Sequence, residues 1–296
     1  MQGALRQLAA LCSGDTMRTT LKALPPASLS HRVTSHFGEW LQGRLGPEGP
    51  VVLVTLACAD IHVDADHAPS PDLELHHATP GAVTLPQLRD LLRCLGKPAS
   101  GIFRLAGNAP PGAGAGASTA ALVALARSVG ADEARLPAAC LAVEGASDPL
   151  MLPQPDSVLW ASRQGVVLDH LPPPPCCDIL GGYLGAPVPT VAADQRFADI
   201  SDLVAAWREA SGAGDLARLA ALASEAACRT TGLRGPVPDP VPDLARTLGA
   251  LGHARAHTGS ARALIFAPGA VPAGAGAVLE QAGLTGVFSF RTGRNG

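Results

Sequence analysis

The sequence predicts an α+β fold in two domains. Three observations carry this: strand-like and helix-like segments alternate in no regular βαβ order, one strand runs into a glycine-rich loop that opens a helix, and a four-proline run divides the chain. At 296 residues the chain is long enough for a substantial core in one large domain or two ordinary ones. After an extension over residues 1–28, residues 31–37 read as a short strand entering a turn at Gly38-Glu39, and residues 51–59 as a buried, valine-rich strand. A strand is expected at 73–77, a helix at 85–95 and a further strand at 101–106. Alternating glycines and Pro110-Pro111 exclude a helix before 117, whereas 118–129 is rich in alanine and leucine, with Ser118 and Thr119 at its start. A helix at 136–143 and strands at 158–160 and 166–168 complete a first domain, 29–171. The prolines at 172–175 open a second, 172–296, with helices at 200–210, 216–230, 241–251 and 275–282 and strands at 263–266 and 287–290.

Composition excludes several function classes. With 22 basic and 25 acidic residues the formal charge is −3, so no positive field draws in nucleic acid or an anionic membrane. No apolar run reaches membrane-spanning length, and the patch at 8–11 lacks the length and flanks of a secretory signal, so a soluble, cytoplasmic protein is expected, with Met17 as an alternative start. Seven scattered cysteines, among them Cys12 and the pair Cys176-Cys177, never take C-x-x-C spacing and read as reduced thiols.

The strongest local signal is the strand, glycine loop, helix unit. Residues without Cβ let backbone N–H groups approach phosphate oxygens, and the following helix presents its positive end. The loop is neither a Walker loop, having no Lys-Ser or Lys-Thr after it, nor a G-x-G-x-x-G fingerprint. Helix capping by Ser118 or Thr119 explains the same residues without a ligand.

Residues 111–121 resemble the second motif of the GHMP kinases. Phe37-Gly-Glu-Trp-Leu-Gln-Gly43 is similar to the first motif as it occurs in their L-threonine kinase branch, and Ala256-His-Thr-Gly-Ser260 to the third, which folds back over the phosphates. The resemblance implies an N-terminal domain like ribosomal protein S5 domain 2, a ferredoxin-like C-terminal domain, and ATP with Mg2+ between them. It implies phosphorylation of L-threonine to O-phospho-L-threonine for cobalamin side-chain assembly. Homoserine, a sugar or an isoprenoid alcohol is an alternative acceptor, and a nucleotide-binding relative without kinase activity is the alternative to an enzyme. By this resemblance Pro111, Gly112, Gly114, Gly116, Ala117, Ser118 and Thr119 hold the phosphates, and Ser118 also reaches magnesium. The third-motif residues Thr258, Gly259 and Ser260 then lie at the acceptor. The threonine kinases often carry a lysine in the loop and an aspartate after the Ser-Thr pair, where this chain has alanines such as Ala113, Ala115 and Ala121.

Magnesium takes hard oxygen ligands, which points to Glu144 and Asp148 in a stretch otherwise poor in charge. The stretch resembles the Glu-Pro-Thr-Asp of the threonine kinases with one residue more. Glu144 is assigned to the metal and Asp148 to the base, with Asp156 in reserve; solvated turn acids beside Pro149 and Pro155 are the alternative. Glu39 and Gln42 are expected to hold a small polar amino acid, and His36 and His257 to approach it. The run from Asp60 to His67 places His62, Asp64 and Asp66 on one strand face, as a transition-metal site or as an exposed edge strand.

Overall fold

The computed structural model describes residues 30–78, 81–188 and 191–293. The extension at 1–28, with its apolar patch, Met17 and Cys12, lies outside the described residues. Ten strands form one sheet in the order β10-β7-β9-β8-β1-β2-β4-β3, with β5 pairing β2 and β6. The first six strands are β1 (His31–Arg44), β2 (Val51–Ala68), β3 (Leu73–His77), β4 (Gly101–Gly107), β5 (Val158–Ala161) and β6 (Val166–His170). With them come α1 (Leu85–Leu95), α2 (Ala117–Ser128) and α3 (Leu136–Glu144). The remainder holds β7 (Cys177–Leu184), α4 (Ser201–Gly212), α5 (Leu216–Arg234), α6 (Val241–Leu248), β8 (Gly252–Arg255), β9 (Ala261–Phe266), α7 (Ala275–Gln281) and β10 (Leu284–Thr292). Its strands stand in the order fourth, first, third, second, around a β-α-β-β-α-β path, which is the ferredoxin-like arrangement the sequence led us to expect.

The expected turn at Gly38-Glu39 is instead a bulge inside β1, whose pairing with β2 slips between His36 and Glu39. Gly38 takes φ +75°, and a Cβ there would stand 2.9 Å from the Arg255 carbonyl carbon, so only glycine lets β1 and β8 meet at the pair Glu39 with Arg255. The bulge turns His36 and Glu39 toward the same cleft without ending the strand. β2 also runs nine residues past its expected end, to Ala68. It is flanked by β1 and β4, so the His62 to Asp66 stretch is central rather than an edge. Its polar groups are consumed locally: Arg32 forks onto Asp64 at 2.8 and 2.9 Å, His62 lies 3.5 Å from Asp64, and Arg104 lies 3.5 Å from Asp66. Among the described residues this stretch forms no metal-ligand cluster.

Helix α2 is the central element of the N-terminal half. Nine of its twelve residues are buried, as expected of a helix that is apolar nearly all round. It packs with α1 and α3 over β2 and β4. A second core joins α4 and α5 to β1, β7, β8 and β9, where Trp40 and Trp207 meet at 5.5 Å and the Phe37 ring makes edge contacts with Tyr183, Phe288 and Phe290. Strand β7 escaped the sequence reading because Gly181 and Gly182 interrupt it. The first is required there, since its Cβ would fall 2.3 Å from the Phe37 ring. Helix α6 stops at Leu248, short of 251, because Gly249 ends it in the left-handed region at φ +69°. Six free cysteines are described, of which Cys58, Cys140 and Cys177 are buried. No described helix is long and apolar enough to cross a membrane.

Candidate active site

Between the two halves lies a cleft of about 640 Å³, of a size that holds a small-molecule ligand. One wall is the loop from β4 to α2. Gly112, Gly114 and Gly116 all take positive φ, at +73°, +78° and +64°. The loop is held from outside by its carbonyls. Val188 N donates to Gly112 O at 2.8 Å, Ala261 N to Ala113 O at 2.9 Å, Gly38 N to Gly114 O at 3.0 Å, and the Ser35 hydroxyl to Ala115 O. All seven residues assigned to phosphates, Pro111, Gly112, Gly114, Gly116, Ala117, Ser118 and Thr119, line the cleft. The N-cap of α2 is Gly116, which offers no side chain, so the capping role considered for Ser118 and Thr119 is not the one they fill. The first-turn N–H groups of α2 have no acceptor within the helix and form the positive end that suits an anion.

Glycine is required here by close packing as well as by φ. A Cβ on Gly114 would lie 2.1 Å from the Ala256 Cβ, one on Gly116 would lie 2.4 Å from the His36 ring, and one on Gly259 would lie 2.3 Å from the Ala113 backbone. The first, second and third motifs, distant in sequence, therefore meet at this loop. Ala113, Ala115 and Ala121, where the threonine kinases often carry charge, are buried at 2, 1 and 0% exposure, so this wall is neutral.

The facing wall is acidic. His36 Nε2 lies 3.3 Å from Asp148 Oδ2, and its Nδ1 lies 3.1 Å from Gly38 O and 3.4 Å from Glu39 Oε1. Burial works against a charge on this ring, but the Glu39 and Asp148 carboxylates outweigh it and hold His36 up at about 9. Burial pushes Glu39 up to about 8, with His36 and the nearby Thr55 hydroxyl pulling the other way. Glu144, at the end of α3, is raised to about 8 by burial and by the neighbouring Asp148. The Thr119 hydroxyl ties the two acids together: it donates to Glu144 Oε2 at 3.4 Å and accepts from the Asp148 amide at 3.4 Å. The loop 145–148 is pinned from behind, with Ser147 N donating to Ser162 O at 2.9 Å and Trp160 Nε1 to Ser147 O at 2.7 Å.

His36, Glu39 and Asp148 each present one possible ligand atom within 4.8 Å of the others. Both ring nitrogens of His36 are already engaged, which makes the trio an ion-pair cluster in this structure. A magnesium ion fits better at Glu144, because two mutually repelling acids are relieved by a cation beside them.

Of the other assigned residues, Gln42, Thr258 and Gly259 line the cleft. Ser260 does not: it is buried, its Oγ has no partner, and its carbonyl accepts from Leu184 N at 2.8 Å. Asp156 is also buried away from the cleft, accepting from the Ser157 hydroxyl at 3.0 Å, which removes it as a reserve base. Ser118 Oγ donates to Ala82 O at 3.3 Å, and it is Thr119 that touches Glu144. His257 lines the cleft stacked on Phe197 at 3.9 Å, and burial with the nearby Arg234 pushes it down to about 3, so it is neutral. Sequence reasoning missed Arg163, Asp194 and Phe197 on the same wall. They lie in connecting segments that carry no motif.

The architecture has solved counterparts. A Leishmania major mevalonate kinase in complex with R-mevalonate superposes with a TM-score of 0.58 at 16% identity, over 88% of this chain and 94% of that one. A Streptococcus pneumoniae phosphomevalonate kinase in complex with phosphomevalonate and AMPPNP gives 0.59 at 14%, over 89% and 100%. The chain has the GHMP kinase fold. A homoserine kinase from Cytophaga hutchinsonii gives 0.50 at 16%, over 92% and 96%. No protein-family model matches the chain, and no curated protein matches it in sequence.

Proposed function

We propose that this GHMP-fold protein is an ATP-dependent kinase of a small hydroxyl metabolite, with L-threonine as the specific acceptor. In this reading residues 29–171 hold ATP and residues 172–296 close the cleft. The observation that carries it is the juxtaposition of the walls: a neutral glycine cradle at a helix N-terminus faces Asp148 and Glu144, which the Thr119 hydroxyl links. Solved proteins of this fold include kinases complexed with R-mevalonate and with AMPPNP, both consistent with the assignment.

The loop and first turn of α2 bind the phosphates through N–H donors. Glu144, with Ser118 beside the loop, would hold Mg2+, which supplies charge neutralisation at the phosphates when bound. Asp148 accepts the proton of the acceptor hydroxyl as its oxygen bonds to the γ-phosphorus; the bond from that phosphorus to the β,γ-bridging oxygen breaks and ADP departs. His36 holds Asp148 in place through its 3.3 Å contact. Glu39 and Gln42, which line the cleft, offer acceptors to the polar groups of an amino acid.

ADP production from ATP and Mg2+ across L-threonine, L-serine, L-homoserine, (R)-mevalonate and galactose tests the reading. Turnover with threonine above the others is expected. ATP binding without turnover on any of them would make the protein a nucleotide-binding relative.

A further inference from the structure

Among the described residues, Arg163 is the only lysine or arginine that lines the cleft. It sits in the tight connection from β5 to β6, half-buried, and among the described residues its guanidinium makes two long contacts, 3.4 Å to Gly145 O and 3.3 Å to Val191 O. Both are at the weak end of hydrogen bonding. Of the other half-buried arginines, Arg44 is held by Gly49 O and Gln195 Oε1, and four are held by acids. Arg104, Arg127, Arg229 and Arg234 hold carboxylates at 3.5, 2.8, 2.7 and 2.6 Å, whereas among the described residues no carboxylate oxygen stands within 4.0 Å of Arg163.

The nearest candidate for neutralising it is spoken for. Asp194 also lines the cleft but is paired with Arg234 at 2.6 Å, and the adjacent His257 is neutral. The end of the cleft formed by residues 163 and 191–197 therefore carries a guanidinium with no carboxylate of its own, offset only in part by Asp194, while the middle is acidic and the glycine wall neutral. A desolvated guanidinium with loosely held donors wants an anion, and its planar fork matches a carboxylate. The reading above places the phosphates of ATP at the glycine loop instead. Arg163 touches the loop 145–148 and the 191–197 segment, with Phe197 5.9 Å away across its ring face, and none of its contacts is to the glycine loop.

We propose that Arg163 binds a carboxylate on the phosphate acceptor, so that the acceptor is a hydroxy carboxylate lying with its hydroxyl at Asp148 and its acid at Arg163. This rests on the phosphotransfer reading of the Asp148 site. It selects a class that includes threonine, homoserine and mevalonate and excludes sugars and isoprenoid alcohols without an acid.

The test compares L-threonine, L-homoserine and (R)-mevalonate with the methyl esters of the first two and with galactose, by turnover with ATP and by calorimetric binding in the presence of Mg2+ and AMPPNP. At least one acid should bind to the wild-type protein about 10- to 100-fold more tightly than its ester, as expected for losing a charged hydrogen bond. Arg163→Gln should erase that difference, raising the acceptor KM while leaving the ATP KM unchanged, and Arg163→Lys should fall between. Thermal melts of both variants control for folding. Binding of the acids that depends on Arg163 without turnover would keep this inference and refute the phosphotransfer reading. Turnover of galactose but of no acid would do the reverse. Equal affinity for acid and ester, no binding of any acid, or an Arg163→Gln defect confined to ATP would overturn the inference.

Discussion

From Ala109 to Ala126 the chain carries no ionisable side chain, yet this neutral stretch forms one wall of the cleft; the wall opposite brings His36, Glu39, Glu144 and Asp148 together. The first wall works through shape. Its donors are backbone groups, its carbonyls are tied into other strands, and its glycines sit where a methyl group has no room. The second works through mutual electrostatics, in which one imidazole lies between two carboxylates and one hydroxyl ties a third carboxylate to them. The first wall should therefore be sensitive to volume and the second to charge.

The largest effect should come from the charged wall. Asp148→Asn keeps the side chain's volume and removes the proton acceptor, so turnover should fall by about 10²–10⁴-fold with nucleotide affinity unchanged. Steady-state kinetics with a nucleotide titration check this; a variant with near-normal turnover would remove Asp148 as the base. Glu144→Gln should lower turnover less, by about 10- to 100-fold, comparable to losing one interaction of a charged group, and should raise the magnesium concentration needed. An unchanged magnesium titration would assign Glu144 to structure.

The neutral wall should respond in stability as well as binding. Gly114→Val places a Cβ 2.1 Å from that of Ala256 at a φ of +78°, so it should cost about 1–3 kcal/mol of stability as overpacking and weaken ATP binding as the loop lifts from the third motif. A thermal melt equal to wild type would show that the loop is not clamped.

The smallest effect is a pH dependence of stability, and it has a definite sign. His36 is held up at about 9, so its stabilising contribution is complete below the ordinary imidazole range and is lost as pH rises through about 9. Glu39 and Glu144 are held up at about 8, so the folded chain keeps protons that the unfolded chain has released, and stability falls as pH rises from the ordinary carboxylate range to about 8. All three act in one direction, so melting temperature should decline across that window toward alkaline pH. Glu39→Gln removes one of the titrating groups and should flatten the decline; an equal slope in the variant would mean the cluster does not control it.

Local chemistry marked out most of the strands and helices of this chain and its glycine-rich loop. Leu73–His77 and Leu85–Leu95 form where alternation and periodicity put them, and the glycines of 112–116 announce a loop because only they tolerate its φ. The three motifs were legible as short patterns for the same reason. Tertiary structure decided what those patterns touch. Whether Gly38 made a turn or a bulge depended on the approach of Arg255, and β7 reads as broken until Phe37 is seen to need Gly181. Whether His62 and Asp64 were ligands or ion-pair partners depended on Arg32 arriving from β1. Asp148 and Asp156 look alike in sequence, each beside a proline, and only folding puts one against His36 and buries the other beside Ser157. Arg163 had no signature at all, because its meaning lies in the carboxylate it lacks. Periodicity and backbone preference act within a few residues and so survive in one dimension, whereas pairing, desolvation and charge balance act between residues as distant as His36 and Asp148, 112 positions apart.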